Sequence, residues 1–197
     1  MKFVLIISLL ISIILNANAS NSYDTREVNK FIDYMVQKHG YKKNDLRNLF
    51  NNIKEEKKLK KFFKKAPERR LTWNGCERDE KQCINYKGLF VTDHNIKNGK
   101  LFIDANYNYL KKASDTFGVP EEIIVAIIGI ETRYGKNLGN FKTFDTLASL
   151  SVGPNKGRRA EFYRTELENF LLLCRENNLD PSSIKGSYAG ALGKPQF

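Results

Sequence analysis

One carboxylate stands where a helix calls for an apolar side chain. Ile123, Ile124, Ile127 and Ile128 recur at helical spacing, and Glu131 falls four positions after Ile127 and three after Ile128, on the same stripe. An ionised carboxylate on a dry face is costly. Either Glu131 is held in an ion pair near the helix end, Arg133 being a candidate partner, or it lines a cleft, half desolvated. Desolvation penalises the charged form, so a carboxyl in the second setting keeps its proton near neutral pH. That is what a general acid for glycoside cleavage requires. Asp145 is the candidate for a second carboxylate.

The other reactive residue types offer less. Cys76 and Cys83, with six residues between them in NGCERDEKQCIN, form a local disulfide pair if the chain reaches an oxidising compartment. Cys174 lies in an apolar helical pattern and reads as a buried thiol. His39 and His94 each stand alone, so two His and three Cys write no metal site, and no cofactor is implied. Neither GxxxxGK[ST] nor GxGxxG occurs, which removes the familiar nucleotide-binding loops.

The elements that must position Glu131 read as helices. Val28, Phe31, Ile32, Met35 and Val36 share a helix face, ended by Gly40. Asn44 is placed to cap a second helix carrying Leu46, Leu49, Phe50 and Ile53. Lys54–Arg70 follows with nine basic and three acidic residues, a solvated face or a cationic one for an anionic partner. Residues 71–100 read as irregular, with Asn98-Gly99 as a turn signal. Leu101–Phe117 is helical again and Gly118 stops it. Pro120 suits the first position of the next helix, Glu121 and Glu122 complement its N-terminal dipole, and Gly135 ends it. Arg158–Asn177 forms another long helix, with Tyr163, Leu167, Phe170, Leu171 and Cys174 at core spacing. The fold class is mainly α.

The chain has 197 residues, 41% of them hydrophobic, which excludes a disordered chain and fits one domain. Residues 1–19 read as a signal peptide: Lys2, an apolar run from Phe3 to Leu15, then Ala17-Asn18-Ala19 before Ser20. The run is short for a membrane span, so the expected product is periplasmic or secreted, with no stable span after cleavage. No cysteine stands near the cleavage point to take a lipid. A formal charge of +11 suits an anionic polymer. Export and the lack of a nucleic-acid motif argue against nucleic acid as that partner.

Three blocks in order carry a specific resemblance. They are Gly118-Val119-Pro120-Glu121-Glu122 through Ile130-Glu131-Thr132-Arg133-Tyr134-Gly135; Asp145-Thr146-Leu147-Ala148-Ser149-Leu150 with Arg158-Arg159-Ala160-Glu161-Phe162; and Lys185-Gly186-Ser187-Tyr188-Ala189-Gly190-Ala191 through Gln196-Phe197. Together they resemble the lytic murein transglycosylase B family. The resemblance implies a lysozyme-like helical fold in residues 20–197, with N-terminal helices in 20–70, the catalytic motifs in 101–197 and the irregular, disulfide-capable stretch around 71–100 between them. The family pattern continues past Gln196-Phe197 with further helices, so the resemblance also implies a catalytic domain that is partial at its C-terminus, a fragment of the family's length.

The implied activity is cleavage of the β-1,4 bond between N-acetylmuramic acid and N-acetylglucosamine in peptidoglycan glycan strands, without water, leaving 1,6-anhydromuramyl ends. By the resemblance Glu131 is the catalytic acid and then the base, Ser187 lies beside it, Gln196 belongs to the sugar groove, and Arg158 and Arg159 meet sugar and peptide groups. A guanidinium fork suits the carboxylates of murein. Phe162 stands where the family often has Tyr, and Asp145 is structural. A hydrolytic muramidase and a non-catalytic peptidoglycan-binding remnant are the competing outcomes.

Overall fold

The computed structural model describes residues 23, 26–53, 59, 71–74, 84–153 and 157–196. The signal-peptide reading, most of Lys54–Arg70 and the Cys76/Cys83 pair lie outside the described residues. Within them the chain folds as α1 (Arg26–His39), α2 (Lys43–Asn51), β1 (Leu71–Thr72), β2 (Ile84–Asn85), α3 (Tyr86–Phe90), α4 (Asp93–Phe117), α5 (Glu121–Thr132), β3 (Phe141–Lys142), α6 (Thr143–Ser151), α7 (Ala160–Glu176) and β4 (Lys185–Gly186). The fold is mainly helical. β1 pairs in parallel with β2, and β3 pairs antiparallel with β4, in the register Phe141 to Gly186 and Lys142 to Lys185.

The core joins four helices. α1 contributes Val28, Phe31, Ile32 and Met35; α2, Leu46 and Phe50; α6, Phe144, Leu147 and Ala148; α7, Tyr163, Leu167, Phe170, Leu171 and Cys174. Aromatic edges lock the centre, Phe50 lying 6.1 Å from Phe31 and 5.2 Å from Phe144 between ring centroids. Cys174 is a buried free thiol. Every residue of α6 from Thr143 to Ala148 is buried, Asp145 among them. A helix covered on all sides shows no stripe, which is why its periodicity is silent in the sequence.

α4 and α5 form a separate hairpin against this core, with Leu110 and Val125 as their buried aliphatic residues. Ile123, Ile127 and Ile130 on α5 and Leu101 and Phe117 on α4 are exposed. The stripe inferred from Ile123, Ile124, Ile127 and Ile128 is therefore not the packed face; α5 turns Val125 and Thr132 inward instead.

Several element ends differ from the sequence expectation. α4 begins at Asp93, eight residues before Leu101, because the Thr92 hydroxyl accepts from the Asn95 N–H at 3.2 Å and caps it. Residues 71–100 are thus partly regular, and Asn98-Gly99 lies inside the helix rather than in a turn. α4 kinks at Asn106, whose Nδ2 donates to the Phe102 carbonyl at 2.8 Å. α2 starts at Lys43, so Asn44 lies in its first turn and does not cap it. Pro120 precedes α5 rather than opening it, and its carbonyl accepts from Ile123 and Ile124. Gly118 terminates α4 at φ +68°.

Candidate active site

α5 ends three residues before Gly135. Arg133 (φ 50°) and Tyr134 (φ 61°) both enter the left-handed region, followed by Gly135 at φ 82°. Non-glycine residues there are strained, so surrounding contacts must hold them. Tyr134 supplies one set. Its ring folds back onto Gly129, where a Cβ would stand 2.8 Å from ring carbons, and its hydroxyl donates to the Asn95 carbonyl at 2.7 Å. Burial pushes the Tyr134 phenol up, which keeps it the neutral donor this bond needs.

Thr132 supplies the other. It is fully buried, its hydroxyl donates to the Lys194 carbonyl at 2.8 Å, and it accepts from the Gly135 N–H at 2.9 Å. Lys194 in turn places its ammonium 5.1 Å from the centre of the Phe102 ring on α4. Further on, Gly139 (φ 85°) lies against the Gly186–Ser187 backbone, where a Cβ would come within 2.0 Å of the Gly186 carbonyl oxygen. The turn after Glu131 and the 186–196 loop are therefore packed together, at the seam between the α4–α5 hairpin and the four-helix core.

The family of transglycosylase SLT domains matches residues 24–197. The chain belongs to it. This SLT domain is 39% identical over 173 residues to the membrane-bound lytic murein transglycosylase B of Escherichia coli strain K12, covering 85% of the chain and 46% of the relative. Among solved structures it is similar to the E. coli lytic transglycosylase SLT35 in complex with bulgecin A, at 37% identity and a TM-score of 0.74 over 88% of this chain and 52% of that one. It is also similar to the soluble lytic transglycosylase SltB1 of Pseudomonas aeruginosa, at 37% identity and a TM-score of 0.71 over 85% and 52%. The chain spans about half the length of the relatives it matches.

Within the SLT domain, Glu131 occupies the last turn of α5 and is exposed. The half-desolvated setting expected from its stripe is absent among the described residues, because Ile127 on the same face is itself open. No ion pair to Arg133 forms either. Ser187 stands at the head of the second loop. Its hydroxyl oxygen accepts from the Ala189 N–H at 3.2 Å and the Ala191 N–H at 3.0 Å, which fixes the loop and leaves the hydroxyl hydrogen free to donate. No hydrogen bond joins Ser187 to Glu131. Asp145 is buried in the first turn of α6, a setting that fits its structural reading.

Arg159 and Gln196 meet in one open cavity of about 730 Å³ between α7 and residues 189–192. Arg159 lies 4.3 Å from the centre of the Phe162 ring. Gln196, at φ 58°, donates from Nε2 to the Gly193 carbonyl at 2.9 Å. Arg158 is exposed and does not line this cavity, nor does Glu131. Sequence reasoning missed Thr132, Tyr134 and Lys194. Their part is to hold backbone between segments 39 residues apart, for Tyr134 and Asn95, and 62 apart, for Thr132 and Lys194, and no local spacing announces that. Among the described residues no group of three or more His, Cys, Asp or Glu could hold a metal ion.

Proposed function

We propose that this SLT domain is a peptidoglycan lytic transglycosylase in which Glu131 acts first as acid and then as base. In the first step Glu131 gives its proton to the oxygen linking N-acetylmuramic acid to N-acetylglucosamine. The bond from that oxygen to muramyl C1 breaks and leaves an oxocarbenium-like centre. The muramyl C6 hydroxyl oxygen then bonds to C1, its proton passes to the Glu131 carboxylate, and the 1,6-anhydro ring closes. Two-carboxylate glycosidases need their second group to activate water or to attack carbon. Here the nucleophile belongs to the substrate, so one carboxylate suffices.

The observation that carries this reading is the place of Glu131. It is accessible at the end of α5, next to a turn clamped onto the loop that bears Ser187 and Gln196. Ser187 retains a hydroxyl hydrogen for the carboxylate once substrate is bound, and Arg159 offers a guanidinium to murein carboxylates. Residues 1–19 would deliver the domain, 20–197, to the periplasm or outside the cell. No helix of the described residues is long and apolar enough to cross a membrane.

The test is mass spectrometry of material released from purified sacculi by the chain and by Glu131→Gln, both shown to be folded. Muropeptides one water lighter than hydrolysis products, lost in the variant, are the expected result. Products carrying the added water would mean a muramidase. The competing outcome is a chain that binds glycan without cutting it. That chain would sediment with sacculi, release nothing, and behave the same with Glu131→Gln.

A further inference from the structure

We propose that the groove along α7 reads the peptide stem of peptidoglycan, with Glu166 recognising the side-chain ammonium of a diamino acid. The proposal rests on the peptidoglycan reading above. Arg159, Phe162, Glu166, Asn169, Leu173 and Glu176 line one side of the cavity. From Phe162 to Glu176 their spacing of four, three, four and three makes a single row along the helix. The facing wall is Ala189–Leu192, where Ala189, Gly190 and Ala191 have small side chains or none and leave the groove open to an extended peptide.

The row is polar at set intervals and apolar between them. Arg159 is fixed on the Phe162 ring and makes no ion pair with any described residue. Glu166 is half-buried and likewise lacks an ion-pair partner among the described residues, although Glu161 and Glu168 on the same helix both have one. Seven residues of helical rise put the backbone positions of Arg159 and Glu166 about 10 Å apart along α7, and the lean of Arg159 onto Phe162 turns its cation toward Glu166. A stem that carries a carboxylate and, on the next residue, a side-chain ammonium presents opposite charges at such a separation. Asn169, one turn beyond, both donates and accepts and so suits the peptide backbone. The exposed faces of Phe162 and Leu173 suit the methyl groups of alanine.

The test is a calorimetric cycle with three probes: a disaccharide bearing a tripeptide stem that ends in a diamino acid, the same compound with its side-chain amine acetylated, and the peptide-free disaccharide. The parent chain is expected to bind the free amine about five-fold tighter than the acetylated form. In Glu166→Gln the two should bind within about two-fold, while Glu166→Asp keeps the discrimination. Glu161→Gln, on the same helix but outside the cavity and paired with Arg164, should keep it too. Equal affinity of the parent for the free and acetylated stems overturns the proposal. So does an equal loss on acetylation in parent and Glu166→Gln, or no binding of the stem-bearing probe. Release from sacculi is scored separately, so a chain that cuts nothing but completes the cycle refutes the enzyme and keeps the groove.

Discussion

The hydroxyl of Thr132 donates to the carbonyl of Lys194 across 2.8 Å, joining the residue after Glu131 to a loop sixty-two positions on. The Thr132 side of this bond is fully buried, and the bond ties the α4–α5 hairpin to the 186–196 loop. Thr132→Val keeps the shape, removes the donor, and strands both the Lys194 carbonyl and the Gly135 N–H. The expected loss is about 1–3 kcal/mol of stability. Thr132→Ser should recover most of it. Denaturant melts of the three chains measure both.

Gly139 and Gly157 make a paired test of backbone approach. At Gly139 a Cβ would collide with the Gly186 carbonyl at an already left-handed φ, whereas at Gly157 nothing lies within 4 Å. Gly139→Ala should cost about 2–3 kcal/mol or prevent folding, and Gly157→Ala should change stability by less than about 0.5 kcal/mol. Similar melting points for the two would contradict the loop-on-loop packing.

Gly129→Ala addresses geometry rather than global stability. Its Cβ would push the Tyr134 ring off α5, two residues from Glu131. On the proposed activity, with Glu131 as the reacting group, release of muropeptides from sacculi should fall on the order of ten-fold or more while the fold persists, since small misplacements of such a group are expensive. Circular dichroism beside the activity assay separates the two effects.

The α1–α7 contact predicts an acid limb of stability. His39 Nε2 lies 2.7 Å from Glu168 Oε1, Lys38 donates to the same oxygen at 3.0 Å, and Tyr34 donates to both oxygens at 3.0 and 3.1 Å. Burial alone would push the Glu168 carboxyl up; these three donors more than reverse it and hold it below its ordinary value of 4.5. The unfolded chain then takes up the proton first on acidification. The contribution is complete above about pH 4.5 and lost as pH falls through the lower folded value. Urea midpoints measured between about pH 3 and pH 6 should fall more steeply for the parent than for Glu168→Gln.

The helices with one wet face were legible in the sequence. α1 and α7 alternate core and solvent residues at helical spacing, and their bounds follow to within about two residues. α6 was not, because burial on every side erases the pattern. The start of α4 lies in the Thr92 cap, which the reading of residues 71–100 as irregular with a turn at Asn98-Gly99 passed over. Glu131 was found as a polar break in an apolar stripe, yet the stripe misled about its surroundings, since apolar sequence does not guarantee a covered face. The Thr132–Lys194 bond and the Gly139 approach are long-range facts of packing, invisible to any local period.

The left-handed pair Arg133–Tyr134 carries a consequence for how α5 would respond to loosening. Two such residues cost about 1–2 kcal/mol each relative to continuing the right-handed helix, and the grip of Tyr134 on Asn95 and of Thr132 on Lys194 offsets that cost. If the 186–196 loop detaches, the offset shrinks while the strain remains. The expected response at the end of α5 is growth: the helix winds on through Arg133 and rotates Tyr134 away from Gly129. Amide exchange at residues 133–135 should then slow as the loop melts, the reverse of ordinary fraying.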